Sequence, residues 1–178
     1  MAIDFRKWEY KRTFIDKCIS LFQATRFAVL EPILLRLARV RFARAYRNKD
    51  EQPLISVVMT TFKRAHLLVD RCLPSILNQT YKNFEIVITA DSTIDETATL
   101  LQTIKDPRVK FFDVPEYKYY PKETKLRWFV GGVPSRNKAL DFARGKWIAE
   151  IDDDDIFLPE HLEALLRFAQ QGNYELVS

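Results

Sequence analysis

The chain has 178 residues, 47% of them hydrophobic and 29% charged, with four Gly and eight Pro. Its net charge of +4 is uneven: residues 1–50 carry 12 Lys+Arg against 5 Asp+Glu, and residues 51–178 carry 16 against 19. These totals fit one globular domain with a basic extension and exclude a disordered or collagen-like chain.

The extension comes first. Its opening residues are polar and charged, with no apolar core followed by a small-residue cleavage site, so no secretory signal is read. The best candidate for a membrane span, Cys18 to Leu35, is interrupted by Arg26 and Glu31 and falls short of the roughly 18 uninterrupted apolar residues a span needs. The pattern is helical and predicts a break at Pro32. Beyond it, Leu34, Leu35, Ala38, Phe42, Ala45 and Tyr46 share one side of a helical wheel, and Arg36, Arg39, Arg44 and Arg47 share the other. A basic amphipathic helix over 33–47 fits an anionic membrane surface, or packing on its own domain or a second subunit. The polar stretch Asn48 to Pro53 marks a boundary, which divides the chain into residues 1–52 and 53–178.

After the boundary, strands and helices alternate. Leu54–Thr60, Phe84–Ala90, Val109–Val114 and Trp147–Ile151 read as strands. His66–Gln79, Asp95–Lys105, Pro134–Arg144 and Glu160–Gln171 read as helices. Pro74 predicts a kink or a late start in the first of these helices, Asp95 or Thr93 caps the second, and Gly145 ends the third. Residues 115–133 form a long loop, and Tyr174–Val177 begins another strand. The alternation predicts an α/β, Rossmann-like, mainly parallel sheet flanked by helices.

Cys18 and Cys72 match no zinc spacing and form no disulfide framework, which makes a reducing compartment the default. Neither G-x-G-x-x-G nor G-x-x-x-x-G-K-[ST] occurs, and His66 and His161 read as helix-start residues. The chemistry instead gathers at strand ends. Open parallel sheets bind ligands beyond the carboxyl ends of their strands, and three polar sets fall there: Thr60 to Arg64, Asp91 to Thr93, and the four acids Asp152 to Asp155. Acids packed this closely need a cation or full solvation, and a buried strand leading into them favours the cation, a hard divalent ion of the kind that carries phosphates. An Asp91 carboxylate suits the ring N–H of a uracil, and Thr60 suits a ring carbonyl. Phe62 has the face to stack on a base, or packs in the core. Arg136 has the planar fork for a diphosphate, or sits on the surface. Asp91 is alternatively a helix cap.

In their order, Pro53–Arg64, Leu77–Ile88, Asp91–Thr97, Ser135–Asn137 and Gly145–Asp155 with Pro159 resemble the family 2 glycosyltransferases, over residues 53–178. The resemblance implies the GT-A fold, a nucleotide-sugar donor (commonly a UDP-sugar), a Mg²⁺ or Mn²⁺ ion, and transfer to a saccharide or lipid-linked acceptor with inversion. It places Thr60, Phe62 and Arg64 beside the nucleotide, Asp91 on the base and Arg136 near the diphosphate. Asp152 and Asp154 become the metal-binding acids of a D-x-D motif, with Asp153 counted among the donor-site residues. Two departures stand out: the usual acidic pair after the second strand reads Ala90-Asp91, followed by Ser92 where the family has Gly, and Lys63 replaces the more frequent Asn. The family's general base lies beyond the D-x-D motif, past Ser178, so the chain is expected to be incomplete at its C-terminus and no catalytic base is named.

Two readings compete. A sugar nucleotidyltransferase would want a Gly-rich loop after the first strand, and Thr60-Thr-Phe-Lys-Arg64 lacks the glycines. A catalytically incomplete, membrane-attached nucleotide-sugar-binding protein would need no base. Nucleic-acid binding is not expected, because the basic residues sit on one terminal helix without interleaved aromatics on a sheet face. The expected location is cytoplasmic, peripheral on the inner face of the membrane.

Overall fold

Four apolar runs pair side by side in the computed structural model, which describes residues 14–43, 50–91, 96–115 and 131–178. They are β1 (Ile55–Thr61), β2 (Phe84–Asp91), β3 (Val109–Val114) and β4 (Trp147–Glu150). Their spatial order is β3-β2-β1-β4 and every pairing is parallel. β1 and β2 lie in the middle of the sheet, which is why Val57, Val58, Ile86, Val87 and Ile88 are buried on both faces without polar alternation.

The chain falls into two compact units, Met1–Asp50 and Glu51–Ser178. In the second, helix α2 covers residues 65–77, followed by α3 (Thr97–Gln102), α4 (Val133–Phe142) and α5 (His161–Gly172). The larger core lies on one side of the sheet. There Val57, Met59, Ile86 and Ile88 meet Leu68, Leu73 and Ile76 of α2, Leu101 of α3, and Leu162 and Leu166 of α5. On the other side Val58 and Val87 pack on Ala139 of α4, with Phe112 beside them. Fully burying one such aliphatic side chain contributes roughly 1.5–3 kcal/mol, so the α2–sheet–α5 side carries most of the packing energy.

Several local expectations are corrected. In the first unit α1 (Phe14–Arg41) runs through Pro32 without a break. The proline removes one ladder bond, and the Leu, Ala and Arg residues around it are strong helix formers that sustain the rest. Leu34, Leu35 and Phe42 are exposed, but so are Ile33 and Val40 on the arginine side, so the apolar stripe is less exclusive than the wheel suggests. Arg44, Ala45, Tyr46 and Arg47 lie outside the described residues. Among those described, no helix is long and apolar enough to cross a membrane.

In the second unit, α2 is not a plain α-helix. Ala65–Leu67 and Leu73–Leu77 are α-helical, and Leu68–Cys72 between them is a π-helical turn, with Leu73 N–H reaching back to Leu68 O. Pro74 has no N–H to give, and the wider turn just before it absorbs the change of register. α3 starts after Glu96 rather than at Asp95 and carries no side-chain cap; Thr93 and Asp95 lie outside the described residues.

α4 ends at Phe142, where Ala143 turns extended, so Gly145 does not terminate it. Gly145 serves a close approach instead: a Cβ there would sit 2.4 Å from Ser56 N. Tyr174–Val177 forms no strand. Asn173 adopts a left-handed conformation (φ 53°), Tyr174 N–H returns to Ala169 O at 2.9 Å, and the Tyr174 ring packs on Phe168. The chain folds back on its own helix there and does not join β4.

Candidate active site

The registers decide which residues meet. Thr61 of β1 is level with Ala90 of β2, so Asp91 stands one step further toward the carboxyl end. Val58 is level with Glu150, and Ile151 N–H continues the ladder to Val58 O at 3.3 Å. The acids Asp152 to Asp155 therefore leave β4 beside Thr60 and Thr61. The carboxyl ends of β2, β1 and β4 are neighbours, which brings Thr60, Asp91 and the acidic run to one edge of one sheet. Asp91 is described here by its backbone alone.

Alternation sorts the side chains by face. Ile151 points into the α2 side core, and Asp153 follows it. Asp153 is buried: its Oδ2 accepts from Thr61 Oγ1 at 2.7 Å and its Oδ1 from Arg64 Nη1 at 3.1 Å. Both of its carboxylate oxygens are thus occupied by the protein, in the manner of a tether between strand ends. Asp152 turns to the α4 side, where Oδ1 accepts from Arg136 Nη2 at 2.7 Å. Asp154 Oδ2 accepts from Arg64 Nη1 at 2.7 Å. The Asp152 and Asp154 side chains are 61% and 45% exposed, and each keeps one oxygen without a protein donor among the described residues.

Arg64 bridges Asp153 and Asp154. Burial works against its charge, but the two carboxylates outweigh that and raise its pKa. The residue before it, Lys63, has φ 56°, the left-handed region that short polar side chains such as Asn enter more readily than lysine. Phe62 is 51% exposed, so core packing is not its role; Lys63 Nζ lies 5.1 Å from its ring centre.

On the α4 side, Gly132 precedes the helix with φ 78° and comes close to Thr60: a Cβ on Gly132 would lie 3.6 Å from Thr60 Oγ1. Arg136 N–H closes the first helical turn on Gly132 O. Thr60, Gly132, Arg136 and Asp152 thus form a polar row along the α4 side of the rim. Sequence reading passed over two of the site's structural residues. Thr61 had a signal, since it follows Thr60 in a strand and must face the other way. Gly132 had only a Gly-Gly pair, which looks like any turn.

Behind the run, Cys72 is buried and directs its S–H toward Asp152 O, 3.6 Å away. Burial and the surrounding Asp153, Asp155, Asp154 and Asp152 push its thiol up to about 12. It is a neutral donor, not a nucleophile.

The rim groups are carboxylates, the ligand class a hard divalent ion takes. No three His, Cys, Asp or Glu side chains converge among the described residues. Two open carboxylates do project from the loop, and Mg²⁺ characteristically takes one or two carboxylates and completes its shell with water and substrate phosphates. The residues present fit such an ion.

The structure is thus an open parallel sheet with its acidic and hydroxyl groups gathered at the carboxyl ends of neighbouring strands, where open α/β sheets bind ligands. The description "Glycosyl transferase family 2" matches residues 56–178, and the chain belongs to that family. One relative is a GalNAc(5)-diNAcBac-PP-undecaprenol beta-1,3-glucosyltransferase from Campylobacter jejuni subsp. jejuni serotype O:2. It is 33% identical over 122 residues, which are 67% of this chain and 36% of that protein. Another is a UDP-Glc:alpha-D-GlcNAc-diphosphoundecaprenol beta-1,3-glucosyltransferase from Escherichia coli, 29% identical over 132 residues, or 70% of this chain and 47% of the relative. The chain thus spans a third to a half of the length of these relatives. Among solved structures, S. aureus TarS 1–349 superposes with a TM-score of 0.55 at 21% identity over 67% of this chain and 33% of TarS. The same protein in complex with UDP-GlcNAc gives 0.54. These two establish the likeness of fold.

Proposed function

We propose that residues 53–178 are the donor-binding part of a metal-dependent glycosyltransferase that takes a UDP-sugar and serves transfer to a lipid-linked saccharide hydroxyl, with inversion. The observation that carries this reading is the Thr61–Asp153 bond, which fixes the acidic loop against the end of β1 and leaves Asp152 and Asp154 facing outward. The undecaprenol-linked acceptors in the names of both relatives, and the UDP-Glc in the name of the Escherichia coli one, support this acceptor and donor class.

Each residue has a task in this reading. Asp91 accepts the uracil N–H, Thr60 meets a ring carbonyl, and Phe62, already exposed, stacks on the base. Arg136 and Arg64, which now neutralise Asp152 and Asp154, turn to the diphosphate oxygens as the donor arrives. Asp152 and Asp154 would hold Mg²⁺ or Mn²⁺, which supplies charge stabilisation to a nucleoside diphosphate leaving group. The base that deprotonates the acceptor belongs, in this proposal, to the remaining length of the family's proteins.

Residues 33–47 would rest on an anionic membrane surface, on the cytoplasmic side, where a lipid-linked acceptor is presented. Arg39 and Arg41 in the last turn of α1 supply the charge, and its exposed Leu and Phe residues supply the apolar contact.

Calorimetric titration in Mn²⁺ tests the donor class. UDP-glucose binds and UDP displaces it, whereas GDP-mannose competes weakly. Equal affinity for UDP- and GDP-sugars would remove the uracil assignment of Asp91 and Thr60.

A further inference from the structure

The loop that carries the acids is held from behind by one face of α2 and the residues just after it. Cys72 directs its S–H to Asp152 O. One turn on, Ser75 Oγ accepts from Phe157 N–H at 3.1 Å and donates to Cys72 O at 2.6 Å. Another turn on, Gln79 is fully buried and uses both ends of its amide. Its Nε2 donates to Ser75 O at 3.1 Å and to Leu158 O at 2.6 Å, and its Oε1 accepts from Leu162 N–H at 3.0 Å. Thr80 N–H then reaches Pro159 O at 2.9 Å.

Positions 72, 75 and 79 follow helical spacing, so they form one row on one face. Their partners run in the same order along the loop, at 152, 157 and 158. Leu162 N–H, the last partner, is one of the orphan donors in the first turn of α5, an end that has no side-chain cap from its own N-cap residue. The π-helical turn ending at Cys72 sets where this row faces. A buried amide that spends three hydrogen bonds on loop backbone and helix ends is costly to maintain unless its partners must stay in place.

We propose that Ser75 and Gln79, with Cys72, are positioning residues for the acidic loop. They touch neither metal nor donor in this account. They fix the backbone from Asp152 to Leu162, so that Asp152 and Asp154 are held ready for a divalent ion and a diphosphate. The proposal rests on the donor-site reading above. Outer partners of metal-binding residues typically set affinity by roughly 10–100-fold, and an effect of this size separates positioning from simple bracing.

The test uses the full chain with Ser75→Ala, Ser75→Thr and Gln79→Leu, each measured well below its melting transition. Mn²⁺ affinity is read by electron paramagnetic resonance in the presence of UDP, and uridine affinity by calorimetry. The expected result is a roughly 10–100-fold loss of Mn²⁺ affinity in Ser75→Ala and Gln79→Leu, unchanged uridine affinity, and recovery in Ser75→Thr, which keeps the hydroxyl. Amide exchange at Phe157 and Leu162 should speed up in the two impaired variants. Lower melting temperatures with Mn²⁺ affinity equal to that of the unaltered chain would overturn the proposal and leave the donor site intact. Failure of the unaltered chain itself to bind Mn²⁺ with UDP would take down both.

Discussion

Thr61 donates a 2.7 Å hydrogen bond to Asp153, joining the last residue of β1 to the second of four consecutive acids. The link separates these acids by role. Asp153 is spent inside the protein, with Thr61 and Arg64 on its two oxygens. Asp152 and Asp154 remain at the surface, each answered by one guanidinium.

This division sets opposite outcomes for neighbouring substitutions. Asp153→Ala leaves the Thr61 hydroxyl buried without its acceptor and strips Arg64 of one partner, at a cost of about 2 kcal/mol. Asp152→Asn and Asp154→Asn change exposed groups and shift stability by no more than about 0.5 kcal/mol. Urea denaturation of the three variants checks both statements. An Asp153→Ala chain as stable as the unaltered one would show that the tether is idle.

Lys63 holds φ 56° in the turn after β1. A lysine there carries a steric cost that Asn or Gly avoids in part, so Lys63→Gly should stabilise the fold by up to about 1 kcal/mol. Thermal melts of Lys63→Gly and Lys63→Asn give the answer. A lower melting temperature in both would mean that the Lys63 ammonium over the Phe62 ring outweighs the backbone cost.

At the opposite end of the sheet, Glu85 is buried on β2 with a full set of donors. Ser56 Oγ and Arg144 N–H serve one oxygen; Lys110 Nζ and the Arg144 guanidinium serve the other. Burial alone would raise its pKa, but Lys110, Arg144 and Ser56 overcome that and bring it to about 2, from 4.5. A depressed carboxylate stabilises the fold above its unfolded pKa and loses that contribution as pH falls. Stability should therefore decline from about pH 5 down through pH 2, by on the order of 3 kcal/mol from this group. Glu85→Gln should show a flatter acid limb in denaturant titrations between these pH values. Identical acid limbs would place the sensitivity elsewhere.

The strands were readable because β1 and β2 are buried on both faces, and runs such as Ile55-Ser-Val-Val-Met and Phe84-Glu-Ile-Val-Ile have few other uses. The gathering of Thr60, Asp91 and the acids at one sheet edge was readable for the same reason: parallel strands put all their carboxyl ends together. What escaped depends on how particular residues are met by their surroundings, some local and some distant in the chain. The continuation of α1 through Pro32 is set by its neighbours, and the π-helical turn at Leu68–Cys72 by where Pro74 must fall. Gly145 looked like a helix terminator but serves the close approach to Ser56. Tyr174–Val177 had strand composition, yet packing on Phe168 drew it back to α5. The D-x-D spacing set Asp153 apart from Asp152 and Asp154, but that both of its oxygens are taken up inside the protein needed Thr61 and Arg64 in place.

The central claim is that the exposed acids and the end of β1 hold metal and nucleotide jointly, and the melting temperature with UDP tests it most directly. With UDP at about 100 times its Kd and Mn²⁺ or Mg²⁺ present, the account predicts a rise of about 5–10 °C. The rise should vanish in chelator and in the Asp152→Asn, Asp154→Asn double variant. An equal rise with UDP in chelator would contradict the account.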